Sequence, residues 1–200
     1  MRIVFVFLGW VLIVILFLGV IIIGAVVWKK KSRQKRDALW IQLANEIGAE
    51  FIKGQSFVSS KVQAHFKEWT ITLDTYITSG SGSRLYTRIK APFENTDGLQ
   101  FTLFPKSLFD NLVTAIGVSV IETGNAEFDH DFIIRGKDEL KIQAVLANTS
   151  IRQLIEGLRP LELRILQDDL IFQVPGEIKD VERLKSLFEL FKETLNQLKG

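Results

Sequence analysis

The chain has 200 residues, no cysteine, two histidines and a formal net charge of +2. Without thiols there is no disulfide or thiolate chemistry, and two imidazoles exclude a three-histidine metal site. The charge is unevenly placed. Seven of the 25 basic residues (Arg2, Lys29, Lys30, Lys31, Arg33, Lys35 and Arg36) precede Asp37, and all 23 acidic residues lie at or after it. The remainder therefore carries 18 basic against 23 acidic groups, a net of −5. A pI near 8.8 would suit a nucleic-acid binder. The excess positive charge is confined to the N-terminal stretch, however, so nucleic acid is not an expected partner.

Ile3 to Trp28 holds no charge in 26 residues. A helix rising about 1.5 Å per residue would reach roughly 39 Å there, more than the ~30 Å of a hydrocarbon core. Residues 1–28 are therefore expected to form a transmembrane anchor, tilted or with ends in the headgroup zone, and Trp28 is suited to the interface. A cleaved signal peptide has an apolar region of about 7–15 residues and a small-residue cleavage site, whereas this run ends in Trp-Lys-Lys-Lys. Gly9, Gly19 and Gly24 lack GxxxG spacing, so helix pairing through them is not expected.

Residues 29–36 form a basic juxtamembrane segment. By the positive-inside rule Lys29–Arg36 lies in the cytoplasm, giving a single-pass protein of the cell membrane with its N-terminus outside and its C-terminal domain cytoplasmic. The expected partners are the lipid bilayer through residues 3–28, anionic lipid headgroups through Lys29–Arg36, and a protein or small molecule that the sequence does not identify. Each cation near the surface is worth about 1 kcal/mol. The domain, residues 37–200, is long enough for one core.

That domain opens with an amphipathic helix, in which Leu39, Leu43 and Ile47, with Trp40 and Ala44, form the stripe and Gly48 marks the end. "KVQAHFK" alternates, with Val62, Ala64 and Phe66 opposite His65. "EWTITLDTYIT" sets Trp69, Ile71, Leu73, Thr75 and Ile77 against Thr70, Thr72, Asp74, Tyr76 and Thr78. After "SGSGS", "RLYTRIKAPF" resumes with Leu85, Thr87, Ile89 and Ala91 inward, a hairpin pattern. A turn centred near Ser81 would pair Asp74 with Arg88 and Tyr76 with Tyr86. "LQFTLFP" is a further strand. Ser107-x-x-Asp110 then opens a helix to about Ile116, before Gly117.

"VSVIET" and "DFIIRG" read as short strands and "KDELKIQAVLA" as a helix. Ser150-x-x-Gln153 reads as a capping box that opens another helix, ended by Pro160. "LELRIL" and "LIFQVPG" form a hairpin around Asp168-Asp169, and a long helix from Lys179 to Leu198 closes the chain. Strands cluster instead of alternating strictly with helices. The expected fold class is α+β, a mainly antiparallel sheet packed with helices behind an N-terminal transmembrane helix.

Asp129-His130-Asp131 has residue types that serve metals and acid–base chemistry. Adjacent strand residues face opposite ways, and no second ligand pair is visible, so the favoured reading is a polar connection between buried Phe128 and Phe132. "SGSGSR" lacks the lysine-serine and helix of a P-loop and fits a hairpin tip. The outward hairpin face, rich in threonine, tyrosine and arginine, fits a solvated surface first and a binding surface second. In the last helix Val181, Leu184, Phe188, Phe191, Leu195 and Leu198 could form a coiled-coil seam. Leu187 and Leu190 widen the stripe and favour docking on the sheet. No G-x-S-x-G elbow is present, Ser59 and Ser60 are far in sequence from any convincing base, and Asp168-Asp169 fits a turn. No catalytic, cofactor or metal residue is assigned.

"LANEIGAEF", "WTITLDTY", "APFENTDGLQF", "TGNAEFDHDFIIRGKDE" and "VERLKSLFELFKETL" cover most of residues 40–198 in order. On these segments the chain resembles a family of uncharacterised, single-pass membrane-anchored bacterial proteins with a soluble α+β domain. Phe128, Asp129 and Phe132 match the family's Phe-Asp-x-x-Phe element, whose variable middle positions do not suit His130 as an obligatory ligand. This chain is also shorter between Leu166 and Phe172. The resemblance implies no activity. The expected function is a binding or interaction module at the membrane surface. The alternative is a membrane-bound metal-dependent or acid/base hydrolase using Asp129, His130 and Asp131.

Overall fold

The computed structural model describes residues 2–55, 58–79, 82–93, 97–108 and 120–199. Two compact units are present, Met1–Ala38 and Leu39–Gly200. Helix α1 is Arg2–Ile47. Among the described residues no helix is long and apolar enough to cross a membrane, and the side chains of positions 1–16 lie outside that description. The helix ends where the sequence places its stop. Gly48 takes φ +67°, and the Ala49 N–H donates to the Ala44 carbonyl at 2.8 Å, the long bond of a Schellman motif.

The second unit is built on β1 (Glu50–Ile52), β2 (Lys61–Phe66), β3 (Trp69–Ile77), β4 (Leu85–Pro92) and β5 (Phe101–Pro105). Then follow α2 (Ala126–Asp131), β6 (Phe132–Gly136), α3 (Glu139–Leu146), α4 (Thr149–Gly157), β7 (Glu162–Ile165), β8 (Asp169–Pro175) and α5 (Val181–Lys199). The eight strands form one sheet in the order β1-β2-β3-β4-β8-β7-β5-β6, with every neighbouring pair antiparallel. The α+β class, the antiparallel sheet and the long C-terminal helix are thus as expected.

One face of the sheet carries the core. Val62, Ile71, Leu73, Ile89, Phe172, Leu163 and Leu103 are fully buried there, together with Trp40, Leu43, Ile142, Ile151 and Ile155 from the helices. Helix α5 buries Leu184, Leu187, Phe188, Leu190, Phe191 and Leu195 in the same cluster. The Phe191 ring meets Phe172 of β8 edge-on at 4.9 Å between centroids. That wide stripe docks on the sheet and leaves no narrow seam for a coiled coil.

Several local expectations change. The chain at 120–123 is not a strand, although the Ile121 N–H donates to the Ile134 carbonyl at 3.0 Å along the edge of β6. Val118 and Ser119 lie outside the described residues, as do residues 109–117, which hold most of the helix expected from Ser107 to about Ile116 and its Gly117 stop. Lys106–Leu108 is a 3-10 turn. Helix α4 is capped by Asn148, not Ser150: its side-chain oxygen accepts from the Ser150 and Ile151 N–H groups at 3.0 and 3.3 Å. The Asp129-His130-Asp131 stretch is a helical turn, not a tight connection entering a strand.

Candidate functional site

Helix α2 forms because Asn125 caps it, accepting from the Phe128 N–H at 3.0 Å. Phe128 and Phe132 are both buried and stack at 4.7 Å, which pins the turn to the core. The helical turn spreads the polar side chains. Asp129 points back over its own N-terminus. Its carboxylate accepts from the Thr123 N–H at 2.9 and 3.0 Å, the Thr123 hydroxyl at 2.7 Å and the Gly124 N–H at 3.1 Å.

Asp131 turns the other way, to an ion pair with Arg159. His130 is 84% exposed, with Nδ1 2.9 Å from an Asp131 oxygen. The His130 hydrogen bond, then the Arg159 guanidinium, hold the Asp131 carboxyl below its ordinary value. Asp129 is already engaged by four donor contacts, so the three side chains do not converge on a point. Among the described residues no group of three or more His, Cys, Asp or Glu could hold a metal ion.

The reverse face of the sheet carries the other polar cluster. The register pairs Asp74 with Arg88 and Tyr76 with Tyr86, as the sequence predicts. Arg88 grips Asp74 in a two-point contact, Nε to Oδ1 at 2.8 Å and Nη2 to Oδ2 at 2.6 Å. Its guanidinium also lies 4.6 Å from the Tyr76 ring centre. The Asp74 carboxylate raises Arg88 above its already high ordinary value. Two strands further on, Glu162 is only 4% exposed. One of its oxygens, Oε2, accepts from Gln173 Nε2 at 2.6 Å and from Arg164 Nη2 at 3.2 Å. Tyr86 is 7% exposed, not solvated as its outward parity suggests. Burial, then the Glu162 charge, push its hydroxyl above the ordinary value.

Sequence reasoning missed Glu162 and Gln173. Glu162 is a lone acid beside a buried Leu on either side, and its partner Gln173 is eleven residues away. The hairpin expected around Asp168-Asp169 is present as β7 and β8, and its register Glu162↔Gln173 brings the two together; the pairing is legible in the sequence, the register is not.

A cavity of about 490 Å3 lies between α4 and α5, lined in part by Gln153, Gly157, Leu158, Asp180 and Arg183. Arg183 spans it to donate to the Leu158 carbonyl at 3.1 Å and to the Arg159 carbonyl. Ser60 is buried and accepts from the Gly54 N–H at 3.1 Å, a bond that closes its loop.

No protein-family model matches the chain, and no curated protein matches it. A solved structure does. The chain is similar in fold to the crystal structure of the mycobacterial trehalose monomycolate transport factor A, TtfA, with a TM-score of 0.55. The match covers 82% of this chain and 94% of that one at 7% identity. At that identity the likeness describes the fold alone.

Proposed function

We propose that the chain is a single-pass membrane protein whose α+β domain is a cytoplasmic binding module at the membrane surface. One observation carries this reading: 26 uncharged residues, Ile3–Trp28, lie within helix α1 and are followed directly by the basic run Lys29–Arg36. Residues 3–28 would hold the bilayer, and Lys29–Arg36 would attract anionic headgroups. Asp129, His130 and Asp131 receive no hydrolytic role here, because Asp129 is occupied by the Thr123–Gly124 loop and Asp131 by Arg159.

Alkaline carbonate extraction of membranes from cells expressing the full chain tests the anchor. The protein is expected to stay in the pellet and to be released only by detergent. Release by carbonate alone would contradict an integral span.

A further inference from the structure

The open end of the β3–β4 hairpin differs from the rest of the domain. From Thr75 to Phe93 the described residues hold Arg84, Arg88 and Lys90 and no acidic residue, within a domain whose net charge is −5. The chain's only two tyrosines, Tyr76 and Tyr86, sit opposite each other there. One step nearer the tip Ile77 pairs with Leu85. Their inward parity should bury them, as it buries Ile71, Leu73 and Ile89, yet Ile77 is 62% exposed and Leu85 37%. Tyr76, on the opposite face, is also 37% exposed. The hairpin thus overhangs the core and bares aliphatic and aromatic surface on both faces. It is held straight by bonds from the Thr78 N–H to the Arg84 carbonyl at 3.0 Å and from the Arg84 N–H to the Thr78 hydroxyl at 2.9 Å.

We propose that this hairpin end is a second membrane contact, which lays Tyr76, Ile77 and Leu85 into the headgroup zone of an anionic bilayer. The proposal rests on the membrane-anchored reading above. Apolar side chains, a ring with a polar tip and neighbouring cations are the combination that binds an anionic interface, and a tethered domain needs only a weak second contact. Arg88 is shared with Asp74, so the charge complementarity falls to Arg84 beside Leu85, with Lys90 five residues further along β4.

The absence of cysteine permits clean single-site labelling of the full chain. Ile77→Cys carrying an environment-sensitive dye, in vesicles of phosphatidylcholine with or without phosphatidylglycerol, is read by a water-soluble quencher. Quenching is expected to fall at least about twofold when the anionic lipid is included, and the same dye at His130→Cys should not respond. Adding Arg84→Glu and Lys90→Glu, or salt near 1 M, should restore quenching at Ile77→Cys. Equal quenching in both vesicles overturns the proposal. So does protection that already exists in detergent and fades on dilution, which would point to a second copy. Flotation with both kinds of vesicle distinguishes the two readings. A chain that does not float sinks the anchor, whereas one that floats with its hairpin unprotected sinks only the second contact.

Discussion

Asp129 shows how a residue that looks chemical can be structural. Its four donor contacts come from Thr123 and Gly124, which precede the short helix it belongs to. The carboxylate thus fixes the approach of the chain to α2, while Phe128 and Phe132 anchor the helix from below. Removing it leaves two backbone N–H groups and a hydroxyl without their acceptor. Asp129→Ala is expected to cost about 1–3 kcal/mol in a urea melt, with Asp129→Asn milder because one amide oxygen still accepts. The alanine variant should hold as much metal as the wild type. Stoichiometric metal in the purified wild-type chain, lost on substitution, would restore the hydrolase reading. Glu162 is the converse case: unremarkable in sequence, it is buried beside Gln173 and Tyr86 and reaches the exposed Arg164.

At the scale of elements, α5 ties the domain together. Its first turns are capped by Asp180, which accepts from the Arg183 N–H at 2.7 Å, and Lys185 reaches both Glu182 at 2.8 Å and Glu46 near the end of α1. Its last turn meets the β2–β3 turn, with Lys67 donating to Asn196 at 2.7 Å and Lys199 paired with Glu68. The hydrogen bonds to Glu182 and Glu46 push Lys185 up to about 12. A raised folded value means that the contribution is present below the unfolded value of about 10.5 and is lost as pH climbs through 12. Tyr86 is raised too, so its contribution also fades above about pH 10. Stability by denaturant titration is expected to fall between pH 10 and 12, and Lys185→Met should flatten that fall in part. A wild-type profile that is level across this range would contradict both assignments.

The helices and strands of this half were largely legible because their signals are periodic or geometric. The stripe of α5, the Gly48 stop and the β3–β4 register all depend on residues close in sequence. Two local features are not encoded by period or spacing, each for its own reason. Asn148 displaced Ser150 as the cap because a single side-chain oxygen reaches both N–H groups of the first turn, a choice that a Ser-x-x-Gln pattern does not encode. The turn at Asp129 carries no helical signature in the sequence because six residues are too few for a 3.6-residue period to declare itself. Beyond β4 only the β7–β8 hairpin is legible, because its strands are close in sequence. Placing β8 between β4 and β7 requires contacts between strands about eighty residues apart.

For the whole molecule, the asymmetry of charge and hydropathy says more about role than any cluster does. All acidic residues fall at or after Asp37, the longest uncharged run precedes it, and the basic segment lies between. The domain adds an antiparallel sheet with one face in the core and a partly open polar face, which the proposed function uses as a binding platform. The account depends on which side of the membrane that platform occupies. A membrane-impermeant maleimide applied to intact cells expressing the full-length Lys199→Cys variant measures this most directly. A cytoplasmic domain gives no labelling until the membrane is permeabilised. Labelling of intact cells at the level seen after lysis would place the domain outside and contradict it.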